Sequence, residues 1–163
     1  MAPRIVLLGC GNPSRGDDAL GPALLARVRQ WLCDRPDLNV RVVEDYQLQV
    51  EHALDLAEAD LVLFIDADVA AHAPFVLRRT TGRRDASFTT HALSPEAVLH
   101  VAREVLGREP PPAWVLGVRG EEFALGAPLS TNALGHLEVA WDEVLELLDD
   151  ARARAWDARA AGW

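Results

Sequence analysis

Two adjacent carboxylates, Asp17 and Asp18, follow a glycine-rich turn in GCGNPSRGDDALG at 9–21. Asp66 and Asp68 close the apolar run LVLFIDAD at 61–68, and His91 stands in TTHALSPEA ahead of a helix signal. Carboxylates and an imidazole brought from three loops to one edge can hold a divalent cation of intermediate softness. Coordination positions left open would be filled by water or by another protein's ligands. Each residue also has a plainer use. Asp17 or Asp18 can cap the helix that follows, the strand-end aspartates can cap or turn the chain, and a lone loop histidine can sit on the surface.

Other chemistries fit less well. GCGNPS supplies the first two glycines of a dinucleotide fingerprint, but Ser14 stands at the third and Pro13 removes a backbone donor. Asp17 and Asp18 would then place negative charge where a phosphate should dock, and no GK[ST] element is present. Neither G-x-S-x-G nor H-E-x-x-H occurs, which leaves no serine nucleophile elbow and no autonomous zinc peptidase. Cys10, between two glycines, is read as a small buried apolar residue, with a thiol nucleophile as the alternative.

The elements that must position these groups are legible in outline. RIVLLGCG (4–11), VRVVEDY (40–46), LVLFIDAD (61–68), FVLRRT (75–80) and WVLGVRG (114–120) read as strands. LVLFIDAD is the most apolar and belongs at the sheet centre. Helices are expected over 17–32, 51–59, from Ser94 to about 106, and over 131–149, with SPEA as a cap followed by proline at the first helical position. The link VAAHAP is too short for a helical crossover, so the strand at 75–80 should run antiparallel. The fold class is α/β: a three-layer sandwich whose mostly parallel, twisted sheet of about five strands, one antiparallel, is flanked by helices. The chain, 1–163, reads as a single domain, and 150–163 either extends the last helix or frays.

Composition bounds the partners. The formal net charge is −9 and every basic residue is arginine, a poor match to nucleic acid. The one basic cluster, RRTTGRR at 78–84, reads as a solvated strand end and loop. No apolar run reaches the roughly 20 residues of a membrane span. Two cysteines give no disulfide framework, and a reduced cytoplasmic setting is expected.

In order and spacing, VLLGCGNPSRGDDALGPALLARV, DLVLFIDADV, SFTTHALSPEAVLHVA and WVLGVRG before a final helix resemble the hydrogenase maturation endopeptidases over residues 4–148. The resemblance implies an aspartyl-type endopeptidase that activates a nickel-iron hydrogenase. It would remove the C-terminal extension of the large-subunit precursor after nickel insertion. It implies that Asp18, Asp66 and His91 contact nickel, that the precursor supplies the nickel, and that the enzyme binds no cofactor permanently. A monomer acting on a nickel-loaded precursor is expected. Asp17 or Asp68 serves as base or merely as cap, and Asn12 is a secondary candidate in the first loop. Many members carry glutamate where Asp18 stands, and several carry a glycine-threonine segment where this chain has EDYQLQVEHALDL. There Tyr46, Gln47 and Gln49 are candidate substrate-cleft residues, and buried helix-start residues are an equal account of the segment. A metal-inspecting assembly module without catalysis, or a nucleotide-binding α/β enzyme, would be the alternative.

Overall fold

A computed structural model describes residues 1–84 and 93–162. Five strands, β1 (Arg4–Cys10), β2 (Asn39–Asp45), β3 (Leu61–Asp68), β4 (Phe75–Thr80) and β5 (Ala113–Arg119), form one sheet in the order β2-β1-β3-β5-β4. All neighbours are parallel except β4 and β5, which pair antiparallel. The expected α/β sandwich is therefore observed, with the most apolar strand, β3, in the middle.

The helices are α1 (Leu20–Leu32), α2 (His52–Asp55), α3 (Pro95–Leu106), α4 (Thr131–Asp149) and α5 (Ala153–Ala160). Strand side chains alternate between faces, which separates two cores. Ile5, Leu7, Leu63 and Ile65 pack with Leu24 and Leu25 of α1 and with Leu137 and Val144 of α4. Val6, Leu8, Cys10, Val62 and Phe64 pack with Ala53 of α2 and with Val98 and Leu99 of α3. Among the described residues no helix is long and apolar enough to cross a membrane.

Three local expectations are corrected. The helix expected from residue 17 begins as a 3₁₀ turn, Gly16–Ala19, and becomes α-helical only at Leu20. The helix expected over 51–59 is the single turn of α2. The tail neither extends α4 nor frays: the chain turns at Asp150 and returns as α5. Its anchor is Trp156, which is fully buried, stacks edge-on to Trp114 at 4.9 Å and donates its indole N–H to the Leu147 carbonyl. Arg79 covers the other aromatic partner, lying 4.6 Å over the Trp114 ring while pairing with Asp157. The expected cap of α3 is in place, the Ser94 hydroxyl accepting from the Ala97 N–H.

Candidate functional site

Parallel register places three side chains in one row at the carboxyl end of the sheet. Cys10 of β1 is the register partner of Asp45 of β2. Gly9 pairs with Ile65, so Cys10 stands beside Asp66 of β3. Paired residues point to one face, here the face covered by α2 and α3. Asp45 and Asp66 thus flank Cys10, their backbones two strand spacings or about 10 Å apart.

Electrostatics confirm the crowding of this edge. Burial pushes the Cys10 thiol up to about 12, and the charges of Asp66, Asp45 and Asp18 add to the rise. The Asp66 side chain reaches solvent at the strand end, but protein crowds its carboxyl on the remaining sides. Desolvation pushes it up to about 7. The Ala67 N–H, 2.8 Å from Oδ1, pulls the other way, and the charges of Asp18 and Asp68 add to the rise. Asp18 therefore lies within electrostatic reach of Asp66. His91 lies outside the described residues. Among the described residues no three His, Cys, Asp or Glu side chains are grouped to hold a metal ion.

The loop that carries Asp18 is shaped by its own hydrogen bonds. The Asn12 N–H donates to Asp18 Oδ2 at 2.7 Å, and Asn12 Oδ1 accepts from the Ser14 N–H. Asn12 thus orients Asp18. Gly11 has φ +148°, and a Cβ there would collide with the Asp18 carbonyl, so the sharp exit from β1 requires glycine. The N–H groups of Gly11, Arg15, Gly16, Asp17 and Asp18 all donate to backbone carbonyls. Together with the Asn12 and Ser14 bonds, this leaves Pro13 as the only residue from 11 to 18 without an internal bond to an acceptor, and proline has no N–H. No backbone donor in this turn faces outward to cradle a phosphate, which weighs against the nucleotide alternative.

Asp17 and Asp68 have other work. Asp17 is fully buried. It accepts from the N–H groups of Glu121, Glu122 and Ser130 and from the Ser130 hydroxyl, at 2.8–3.1 Å. It ties the first loop to the segment between β5 and α4 and does not cap α1. Asp68 accepts from the Ala70 N–H at 2.8 Å, turning the chain out of β3, and its carboxylate lies over Gly117. Tyr46 is 68% exposed beside the row. Gln47 and Gln49 are half-buried. Sequence reading passed over Asp45 and His52. Asp45 shared with Asp66 the one signal available, a carboxylate at a strand end.

Cys10 is a protonated, buried thiol at neutral pH, which disfavours a nucleophilic role. Cys10→Ser should leave the rate of cleavage nearly unchanged and lower stability by about 1 kcal/mol. Complete loss of cleavage in a folded Cys10→Ser protein would restore the thiol reading.

No protein-family model matches the chain, and no curated protein matches it by sequence. Solved structures do. The hydrogenase maturating endopeptidase HybD from E. coli superposes with a TM-score of 0.69 at 26% identity, covering 91% of this chain and 93% of its own. An endopeptidase from Escherichia coli gives 0.64 at 25% identity, covering 87% and 90%. In fold, and at 25–26% identity in sequence, the chain is similar to the hydrogenase maturation endopeptidases. A [NiFe] hydrogenase maturation protease HycI from Thermococcus kodakarensis KOD1 shares the fold, with a TM-score of 0.65 at 24% identity over 90% of this chain and 93% of its own. The carboxyl edge just described is therefore the place to look for the cleavage site of this endopeptidase.

Proposed function

We propose that this endopeptidase removes a C-terminal extension from the large-subunit precursor of a nickel-iron hydrogenase, and that nickel already bound to the precursor is what it recognises. The observation that supports the reading is the carboxylate edge, where Asp66 is pushed up to about 7 by burial with Asp18 and Asp68 adding their charge. A divalent ion carried in by the substrate relieves that repulsion. The relief is available only when the ion is present, so nickel occupancy becomes a condition of binding.

The ion is cargo of the substrate, held by the precursor's own thiolates, and the enzyme keeps no metal of its own. Asp18, Asp66 and His91 complete the coordination. Carboxylate and imidazole ligands suit divalent nickel. Gripping the ion fixes the scissile peptide in register, and such positioning lowers a barrier by several kcal/mol. A water then adds to the scissile carbonyl carbon, passes its proton to a cleft carboxylate, and the carbon–nitrogen bond breaks as the amine takes up a proton.

The test is incubation with nickel-loaded and nickel-free precursor, followed by intact mass. The loaded precursor should lose its C-terminal peptide and the nickel-free one should not. Shortening of both would remove nickel as the recognition element. Stable binding without shortening would make the protein a metal-inspecting assembly module.

A further inference from the structure

The stretch 120–130, between β5 and α4, bridges the two places that carry Asp18 and Asp66. At its start the Gly120 N–H donates to the Asp68 carbonyl at 3.2 Å, which ties it to the end of β3. Farther along, main-chain bonds tie it to the first loop. The Asp17 N–H donates to the Glu122 carbonyl at 2.7 Å, the Gly16 N–H to the Ala127 carbonyl at 3.0 Å, and the Gly126 N–H to the Ser14 carbonyl at 2.6 Å. The Asp17 carboxylate accepts from the N–H groups of Glu121, Glu122 and Ser130 and from the Ser130 hydroxyl. That hydroxyl also caps α4, accepting from the Ala133 N–H at 3.2 Å. The first loop is thus fastened to the exit of β3 through a third segment, and Asp17 is the side chain that does most of the fastening.

The junction is close-packed as well as bonded. A Cβ on Gly120 would stand 3.2 Å from Asp17 Cβ, and one on Gly16 would collide with the Glu122 carbonyl oxygen. A shift of 120–130 is therefore passed to the loop it holds, since close-packed contacts transmit strain. Asp18 follows Asp17 directly, and the Asn12 N–H holds its carboxylate to the same loop. Two groups that grip one ion must keep their spacing to within about 0.5 Å. We infer that Asp17 is the positioning residue for Asp18: through Glu122, Ser130 and the stretch that reaches Gly120, it sets the spacing of Asp18 and Asp66 across which the precursor's nickel is gripped. The inference rests on the proposed function. Asp17 touches no substrate, and its buried carboxylate keeps the same donors in the free enzyme and in the complex.

The test is steady-state cleavage of nickel-loaded precursor, with nickel-free precursor as competitor. In folded Asp17→Ala, KM for the loaded precursor should rise at least about tenfold, while inhibition by the nickel-free precursor stays within about twofold. Lost stability alone lowers the amount of active enzyme, hence the apparent kcat, and leaves KM in place. Ser130→Ala removes one donor to Asp17 and should raise KM about threefold, and Ser130→Thr, which keeps the hydroxyl, should restore it. Asp18→Asn should not cut, so binding of loaded precursor is read directly there, and adding Asp17→Ala should change it by less than about twofold. Circular dichroism and thermal melting establish that each variant is folded. Unchanged KM in folded Asp17→Ala, equal weakening toward loaded and nickel-free precursor, or a full further loss on top of Asp18→Asn would overturn the inference. If Asp17→Ala does not fold, the Ser130 pair decides, and the same KM in the Ala and Thr variants overturns it. An unsubstituted enzyme that treats loaded and nickel-free precursor alike sinks the proposed function. One that discriminates between them, while Asp17→Ala keeps its KM, sinks this inference alone.

Discussion

Asp66→Asn should reduce processing of nickel-loaded precursor by more than about a hundredfold, since even residues that only support metal ligands cost up to that much. The same substitution should leave the melting temperature unchanged or higher. The two results belong together. Asp66 is raised from 3.8 to about 7, first by desolvation, with the charges of Asp18 and Asp68 adding to it. Between those two values the folded protein holds a proton that the unfolded chain releases. The group therefore favours folding at low pH, loses that contribution as pH rises through the folded value, and opposes folding above about 7. A neutral amide removes the opposition and keeps an oxygen for the Ala67 N–H. Charge repulsion retained in a free protein is typical of a site whose counter-ion comes with its ligand.

The matching activity profile follows from the same sign. The ion needs the carboxylate, and protonation removes it, so kcat/KM on loaded precursor should fall as pH drops below about 7. Asp18→Asn and His91→Ala should abolish processing in the same way. A pH series with intact-mass readout, alongside melting curves, checks all of this. Normal cutting by Asp66→Asn would remove the site assignment. A flat profile between pH 8 and pH 6 would separate Asp66 from the ion.

Asp17→Ala should be the most destabilising single change in the first loop, by about 3–5 kcal/mol, because three backbone N–H groups and a hydroxyl lose the one fully buried carboxylate they share. For a chain of this size that corresponds to a melting temperature lower by roughly 10 °C. Desolvation alone would raise the Asp17 carboxyl. The N–H groups of Ser130, Glu121 and Glu122 and the Ser130 hydroxyl outweigh it and hold the group below the ordinary value of 3.8. A depressed carboxylate stabilises the fold above its unfolded pKa and loses that contribution as pH falls through the folded value. The difference in stability between the unsubstituted protein and Asp17→Ala should therefore be full at pH 7 and shrink in strong acid. Denaturant melts at pH 7 and pH 3 measure it. Equal stability of the two proteins at pH 7 would show that the loop between β5 and α4 does not depend on this tie.

Asp17 and Asp18 show how far a motif can be read. In sequence they are one acidic pair after a glycine turn, and either could cap, ligate or activate water. Folding gives one to the interior and the other to the edge. The decision depends on Ser130, Glu121 and Glu122, more than a hundred residues away. Nothing local encodes that partnership. The same holds for the row of Asp45, Cys10 and Asp66, which comes from strand register set by tertiary packing. The tail is a third case. Its alternating arginine and alanine carry little helical amphipathicity, and only the pocket formed with Trp114 and Leu147 tells Trp156 where to go.

By itself the sequence determined the strands and most helices, the central place of β3, the reversal of β4, and the presence of acidic groups at strand exits. Those features follow from local periodicity, short links and glycine, all of which act within a few residues. The tertiary structure alone decided which carboxylates face the cleft, which one is consumed as a latch, and that Asp45, Cys10 and Asp66 stand in a single row. Register between strands distant in the chain sets that row, and burial then sets the charge state of each member.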